Sequence, residues 1–284
     1  MTTHHQYHHP SVVQRQRGAR RSQRFMRRVL PFVASLFLAT PLAGPVARSL
    51  ANANVAPTHK IKVMVAPLTR LESTARDLYT SLGAEQQGLR FDVFEKALTG
   101  YLNLKQAGRL SEHQQRLTVI DFDLPSTEKR LWVLDLAEHK VLFHTLVAHG
   151  HNSGENDANN FSNTDQSNMS SLGFYVTGQE YQGKHGRSLR LQGLDEGFNT
   201  NAAARSVVMH GADYVSEAFI KQNGRLGRSL GCPALPLDQY AQIIDAVHGG
   251  SCLFLNKSNA GYASKYLNQE AALAALAAEA TSAS

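Results

Sequence analysis

Residues 117–150, LTVIDFDLPSTEKRLWVLDLAEHKVLFHTLVAHG, set the texture of the whole chain. Three runs rich in β-branched, Leu and aromatic residues, 117–124, 129–136 and 140–150, are separated by turn formers, and Glu138-His139 reads as a hairpin turn. The same texture returns in LGFYVTGQEY (172–181), RSLRLQGL (187–194), RSVVMHG (205–211) and SCLFLN (251–256). The second pair is joined through Gly183, Gly186 and basic residues. The expectation is a mainly β fold, an antiparallel domain over residues 111–258 with minor helices.

Around this body the periods change. Thr69-x-x-Glu72 is a capping box, followed by Leu71, Ala75, Leu78 and Leu82 at helical spacing. A second helix is expected over 90–104, with Phe91, Phe94, Leu98, Tyr101 and Leu102 on one side. Residues 54–110 thus read as a linker and a helical cap or brace. A short helix is expected over 237–248, with Tyr240, Ile243, Ile244 and Val247 on one face and Gly249-Gly250 as its stop. Residues 259–284 form an Ala-rich tail, helical or frayed, to which no role is assigned. Trp132, Tyr175 and Tyr181 are read as core rather than ligand-stacking residues.

The formal charge of +6 comes from 29 Lys and Arg against 23 Asp and Glu. Seven arginines fall within residues 1–28, and the first acidic residue of the chain is Glu72. Beyond residue 53 the count is 21 Lys and Arg against 23 acids, so the body offers no reason to expect nucleic-acid binding. Residues 1–53 read as an N-terminal arm. MRRVLPFVASLFLATPLAG (26–44) is a charged start followed by a short, proline-broken apolar core, and Ala51-Asn52-Ala53 is an A-x-A cleavage site. The reading is a secretory signal with translation starting at Met26, export to the periplasm or cell envelope, and no membrane contact after cleavage; an uncleaved anchor is the alternative. Arg20-Arg21 is a poor twin-arginine match.

The chain has two cysteines, so a Cys232–Cys252 disulfide is formally open. Cys252 lies in an apolar run, where a small buried thiol is expected. Cys232 lies in a Gly/Pro-punctuated loop among arginines. A thiol acts as nucleophile only as thiolate, with an ordinary pKa near 8.5, so a neighbour must activate it. His210, at the end of a strand, suits that role as an ion-pair partner and proton donor to the leaving group. Arg225, Arg228 and the N-terminus of the following helix are expected to add positive potential. Acyl transfer also needs an oxyanion hole. Gly231 before the nucleophile lets successive amides turn toward one point, Ser229 orients the loop, and Gly211 gives substrate close access. The spacing His-Gly-(x17)-Ser-x-Gly-Cys is far more specific than either half.

VMHG (208–211) and GRSLGCPAL (227–235) resemble the catalytic signature of the L,D-transpeptidase (YkuD-type) family, His-Gly, a spacer, then Ser-x-Gly-Cys. The segments 119–136, 147–154, 161–178 and 181–194 resemble its murein L,D-transpeptidase catalytic domain branch, and the likeness spans roughly residues 90–258. The resemblance implies an antiparallel β-sandwich bearing a Cys loop, with Cys232 as nucleophile and His210 as base. Gly211, Ser229 and Gly231 would complete the loop. It implies peptidoglycan stem peptides as partners, loss of D-alanine on forming a thioester, transfer to an amine, and no cofactor or metal. Water as acceptor, giving a carboxypeptidase or endopeptidase, and a non-catalytic wall-binding module remain alternatives. The wider family carries Arg two residues after the Cys, where this chain has Pro233-Ala234. Arg228 is the expected replacement, and His149 and Ser171 are candidate substrate-lining residues. The polar segment 152–171 is a substrate lid or a solvated loop. His149-Gly150-His151 with His210 and Asp213 would make a zinc peptidase site, although no H-E-x-x-H is present. Asp213 either orients His210 or opens a turn; the resemblance implies a backbone carbonyl as the third member of the triad.

Overall fold

A computed structural model describes residues 69–258 and 261–282; the arm, its signal reading and the Met26 start lie outside the described residues. Thr69 Oγ1 accepts from the Glu72 amide at 3.1 Å, the expected cap, and starts α1 (Arg70–Ser81). α2 (Phe91–Gln106) follows. The strands are β1 (Arg116–Asp121), β2 (Leu131–Asp135), β3 (Lys140–Thr145), β4 (Gly173–Gly183), β5 (Gly186–Gly193), β6 (Val208–Ala212), β7 (Ala234–Pro236) and β8 (Cys252–Asn256). α3 (Glu217–Asn223) lies between β6 and β7, α4 (Tyr240–Val247) between β7 and β8, and α5 (Gln269–Ser282) ends the described chain. Among the described residues no helix is long and apolar enough to cross a membrane.

The eight strands make one sheet in the order β3-β2-β1-β8-β4-β5-β6-β7. It is mainly β, as expected, but mixed rather than antiparallel: β1 runs parallel to β8, and β6 runs parallel to β7. Nor is it two stacked sheets. The chain beyond β3 reaches the far edge, where Ala148 bridges Ala234 and Gly150 bridges Ser229, so the sheet curls almost closed. Parallel pairs need long crossovers, and local alternation carries no information about a partner so distant in the chain.

Both faces of the sheet are covered. On one, Leu117, Val119, Trp132, Phe174 and Phe254 pack under Phe94, Leu98 and Leu102 of α2 and Ala272 of α5. On the other, Ile120, Val133, Tyr175, Leu189 and Leu253 pack with Ile243, Ile244 and Val247 of α4. That is why β1, β2 and β8 read as unbroken apolar runs. Each such Leu, Ile or Phe contributes about 1.5–3 kcal/mol on burial. α2 lies so close that a Cβ on Gly100 would fall 1.9 Å from the Phe174 ring. Trp132 Nε1–H donates to the Gln87 carbonyl at 2.9 Å, tying the α1–α2 link to the sheet. The Ala-rich tail is part of this layer: Asn103 Nδ2 donates to the Tyr266 and Asn268 carbonyls, and Ala272 and Ala275 are buried.

Candidate active site

β6 carries His210, and the parallel register His210↔Ala234 places Cys232 beside the start of the same strand. The Val208 amide donates to Sγ at 3.4 Å, and Sγ faces the Ser206 carbonyl at 3.8 Å. Both cysteines are free; Cys252 is buried in β8, with its thiol pushed up by burial. Cys232 and His210 open into one cavity of about 500 Å³, also lined by Lys184, His185, Arg205 and Tyr214. The short helix expected over 237–248 is present as α4 from Tyr240, but β7, which was not expected, lies between it and Cys232. Three residues between Pro233 and Leu237 are too short to show a period.

Ser229 and Gly231 shape the Cys loop. Ser229 Oγ donates to the Cys232 carbonyl at 2.6 Å and accepts from the Gly231 amide at 3.0 Å. The Ser229 amide donates to the His149 carbonyl at 3.0 Å, and its carbonyl accepts from the His151 amide at 2.7 Å. Gly231 has φ +122°, and a Cβ there would lie 2.7 Å from the Met169 carbonyl oxygen, so only glycine fits. Its amide is engaged by Ser229 and not turned to the cavity, a correction to its expected place in the oxyanion hole. Gly211 is likewise reassigned: a Cβ would sit 2.7 Å from Cγ of Tyr240, so the space serves α4 packing rather than substrate approach.

His210 is buried, and its Nδ1 lies 2.9 Å from the Gly211 carbonyl. Nδ1–H donates there, which leaves Nε2 as the basic nitrogen. Asp213 faces a separate cavity of about 580 Å³ with Glu217 and Asp238, and is not the orienting group. The ring of His185, on the β4–β5 turn, stacks on His210 with centroids 4.5 Å apart and planes at 18°. Burial lowers the His210 pKa from 6.5, with the positive charge of His185 and Lys184 in the same direction and the Gly211 hydrogen bond opposing. Burial raises Cys232 from 9.0, opposed by the Val208 amide, Arg205 and Lys184. Burial thus acts against the charged form of both groups, where the expected thiolate–imidazolium pair needs both charged.

Arg225 and Arg228 share one carboxylate, and Arg228 lines the cavity. Both pair with Glu155, at 2.9 and 2.7 Å, and Arg228 also donates to the Gly154 and His151 carbonyls. His149 is buried under the loop, its Nδ1 2.8 Å from Arg130 Nη2 and its Nε2 3.2 Å from the Gly154 carbonyl. Burial, then Arg130, lowers its pKa to about 4. Both ring nitrogens are taken, leaving none for substrate or zinc, and no cluster of three or more metal-ligating side chains occurs among the described residues. Ser171 is also buried, donating to the Ser162 carbonyl at 2.7 Å and accepting from Arg205.

Arg205 is the residue the sequence reading overlooked. It donates to Ser162 O at 2.7 Å, Met169 O at 2.7 Å, Ser167 Oγ at 3.0 Å and Ser171 Oγ, which pins the segment 162–171 beside the Cys232 loop. Lys184 and His185 also went unassigned. Their signal was a basic pair on a hairpin turn, and the register Ser188↔His210 carries that turn to the imidazole.

Residues 85–256 match the domain profile described as L,D-transpeptidase catalytic domain. The chain belongs to that family. A search of curated protein sequences returns no significant match. Similar solved structures include an L,D-transpeptidase from Mycobacterium smegmatis, at 15% identity over 50% of this chain and 59% of that one, with a TM-score of 0.32. A mutant of the helical cell shape determining protein Pgp2 from Campylobacter jejuni is 14% identical over 65% and 64%, TM-score 0.37. An L,D-transpeptidase from Xylanimonas cellulosilytica is 12% identical over 66% and 94%, TM-score 0.31. The L,D-transpeptidase-family chain described here thus spans about three-fifths of the length of the first structures it matches.

Proposed function

We propose that this protein is an exported L,D-transpeptidase that cross-links peptidoglycan stem peptides through a thioester on Cys232. The observation that carries the reading is one cavity shared by the Cys232 sulfur and a His210 whose Nδ1–H is held by the Gly211 carbonyl. Nε2 takes the thiol proton as sulfur attacks the carbonyl of the third, diamino-acid residue of the stem. The C–S bond forms, the C–N bond to the terminal D-alanine breaks, and the amine leaves with the proton from Nε2. An amine of a neighbouring stem then attacks the thioester, gives its proton to His210, and restores the thiol. Arg205 and Lys184 stabilise negative charge developing on sulfur during the first step. The residues at the site perform this without a cofactor.

Intact-protein mass after exposure to a stem tetrapeptide tests the reading. The expected result is a tripeptidyl adduct on Cys232 with free D-alanine, absent in Cys232→Ala and slowed at least about 100-fold in His210→Ala. No adduct on the folded wild-type protein refutes it. Products weighed after addition of a second stem identify the acceptor as amine or water.

A further inference from the structure

The proposed donor carries a free carboxylate on its terminal D-alanine, a few bonds from the carbon that Cys232 attacks. This chain lacks an Arg two residues after the cysteine, and Arg228, which also lines the cavity, is tied to the Glu155 carboxylate that it shares with Arg225. Two other cations take up the space. Arg205 lines the cavity and is half-buried, and its four hydrogen bonds run to neutral oxygens. Lys184 lines the same cavity from the tip of the β4–β5 hairpin, exposed. Among the described residues neither has a carboxylate partner, and no acidic side chain lines this cavity. Positive charge left unbalanced beside a reacting centre is unusual unless a ligand balances it.

We infer that Lys184 and Arg205 form a two-cation clamp that selects donor peptides ending in a free carboxylate. This rests on the acyl-transfer reading above and names its specificity-determining residues. The hairpin turn brings Lys184 to the cavity, and hydrogen bonds to the 162–171 segment hold Arg205 in its lining. Arg205 serves both purposes, since its amino groups fix the loop and its charge faces the cavity. A terminal carboxylate between the two cations sets the scissile carbonyl over the sulfur. A peptide ending in a carboxamide keeps the shape but loses the charge.

The test compares acylation of Cys232 by two synthetic stem tetrapeptides, one ending in D-alanine and one in D-alaninamide, read as intact-protein mass against time. Both donors meet the same thiol, so their ratio cancels any change in its reactivity. Wild type is expected to favour the acid by about 10- to 100-fold in kcat/KM, the range of a charge-assisted contact. Lys184→Gln should bring the ratio at least halfway, on a logarithmic scale, toward unity, and Lys184→Arg should restore it. Arg205→Lys keeps the charge but loses the fork of loop contacts, so it should retain discrimination while lowering the rate for both donors. Equal acylation by acid and amide in wild type overturns the clamp while leaving the acyl-transfer reading intact. A preference that survives Lys184→Gln unchanged overturns the assignment of Lys184. No acylation by either donor refutes the acyl-transfer reading and the clamp with it.

Discussion

At the residue scale the desolvation of two side chains sets the chemistry expected of them. Burial acts against charge on both, lowering His210 from 6.5 and raising Cys232 from 9.0. The productive state holds one proton between them, so it persists across the interval between the two values and is lost on either side. The acid limb of kcat/KM should therefore lie below pH 6.5 and the alkaline limb above pH 9.0. A resting ion pair would reverse the order, with a thiolate reactive in mild acid. Iodoacetamide alkylation of Cys232, followed by mass against pH, separates the two. The expected midpoint is above pH 9.0, and half-maximal alkylation near pH 5 would refute the neutral pair. The glycines around the pair are equally particular. Gly231 sits where a side chain would strike the Met169 carbonyl, and Gly211 where one would strike Tyr240.

At the scale of elements, the site is made by a crossover. β6 delivers His210, the chain leaves through α3, and β7 returns parallel to β6 with Cys232 just ahead of it. Three strand residues suffice because the other edge of β7 is also paired, through the 148–150 segment. The helical layer is held as tightly. Gly100 in α2 meets the Phe174 ring, which stacks on Phe254 at 4.4 Å. Gly100→Ala improves helix propensity yet should destabilise the protein by about 1–3 kcal/mol through overpacking. Urea denaturation measures it, and a stabilised variant would show that α2 does not rest on that ring. The capping box, the 3.6-residue periods and the apolar strands were all legible in the sequence, because each depends on neighbours within a few positions. β7 was not: it is shorter than any period that could mark it, follows Pro233 and ends on Pro236. The parallel pairing of β1 with β8 was also hidden, since no local pattern names a partner.

At the scale of the whole molecule, the wall behind the Cys232 loop is a buried polar hub. Arg130 is fully buried and donates to the Leu124 and Val147 carbonyls and to His149 Nδ1. The His149 carbonyl in turn holds the Ser229 amide. Desolvation leads the shifts at His149, His210 and His144, all downward. Below pH 6.5 the unfolded chain binds protons that the folded protein refuses, so stability falls as pH falls. His149 titrates at about 4 in the fold. It alone withdraws about 3 kcal/mol between pH 6.5 and pH 4. Calorimetric Tm should hold steady from pH 8 to 7 and drop progressively through pH 6 and 5. His149→Gln should flatten that slope, and a Tm unchanged down to pH 4.5 in wild type would refute it.

By itself the sequence determined the strand-rich body, the helix caps and the His-Gly and Ser-x-Gly-Cys motifs. These follow from side-chain period, backbone freedom and intrinsic reactivity, which are properties of a residue and its near neighbours. Tertiary structure alone decided that the sheet is mixed and nearly closed, that Arg225 and Arg228 share Glu155, and that His149 and Ser171 turn inward. It also decided that Arg205 and Lys184 line the cavity of Cys232 and that burial acts against charge on Cys232 and His210. Each of these depends on desolvation or on charge across contacts between distant parts of the chain, and such contacts exist only once the chain has folded.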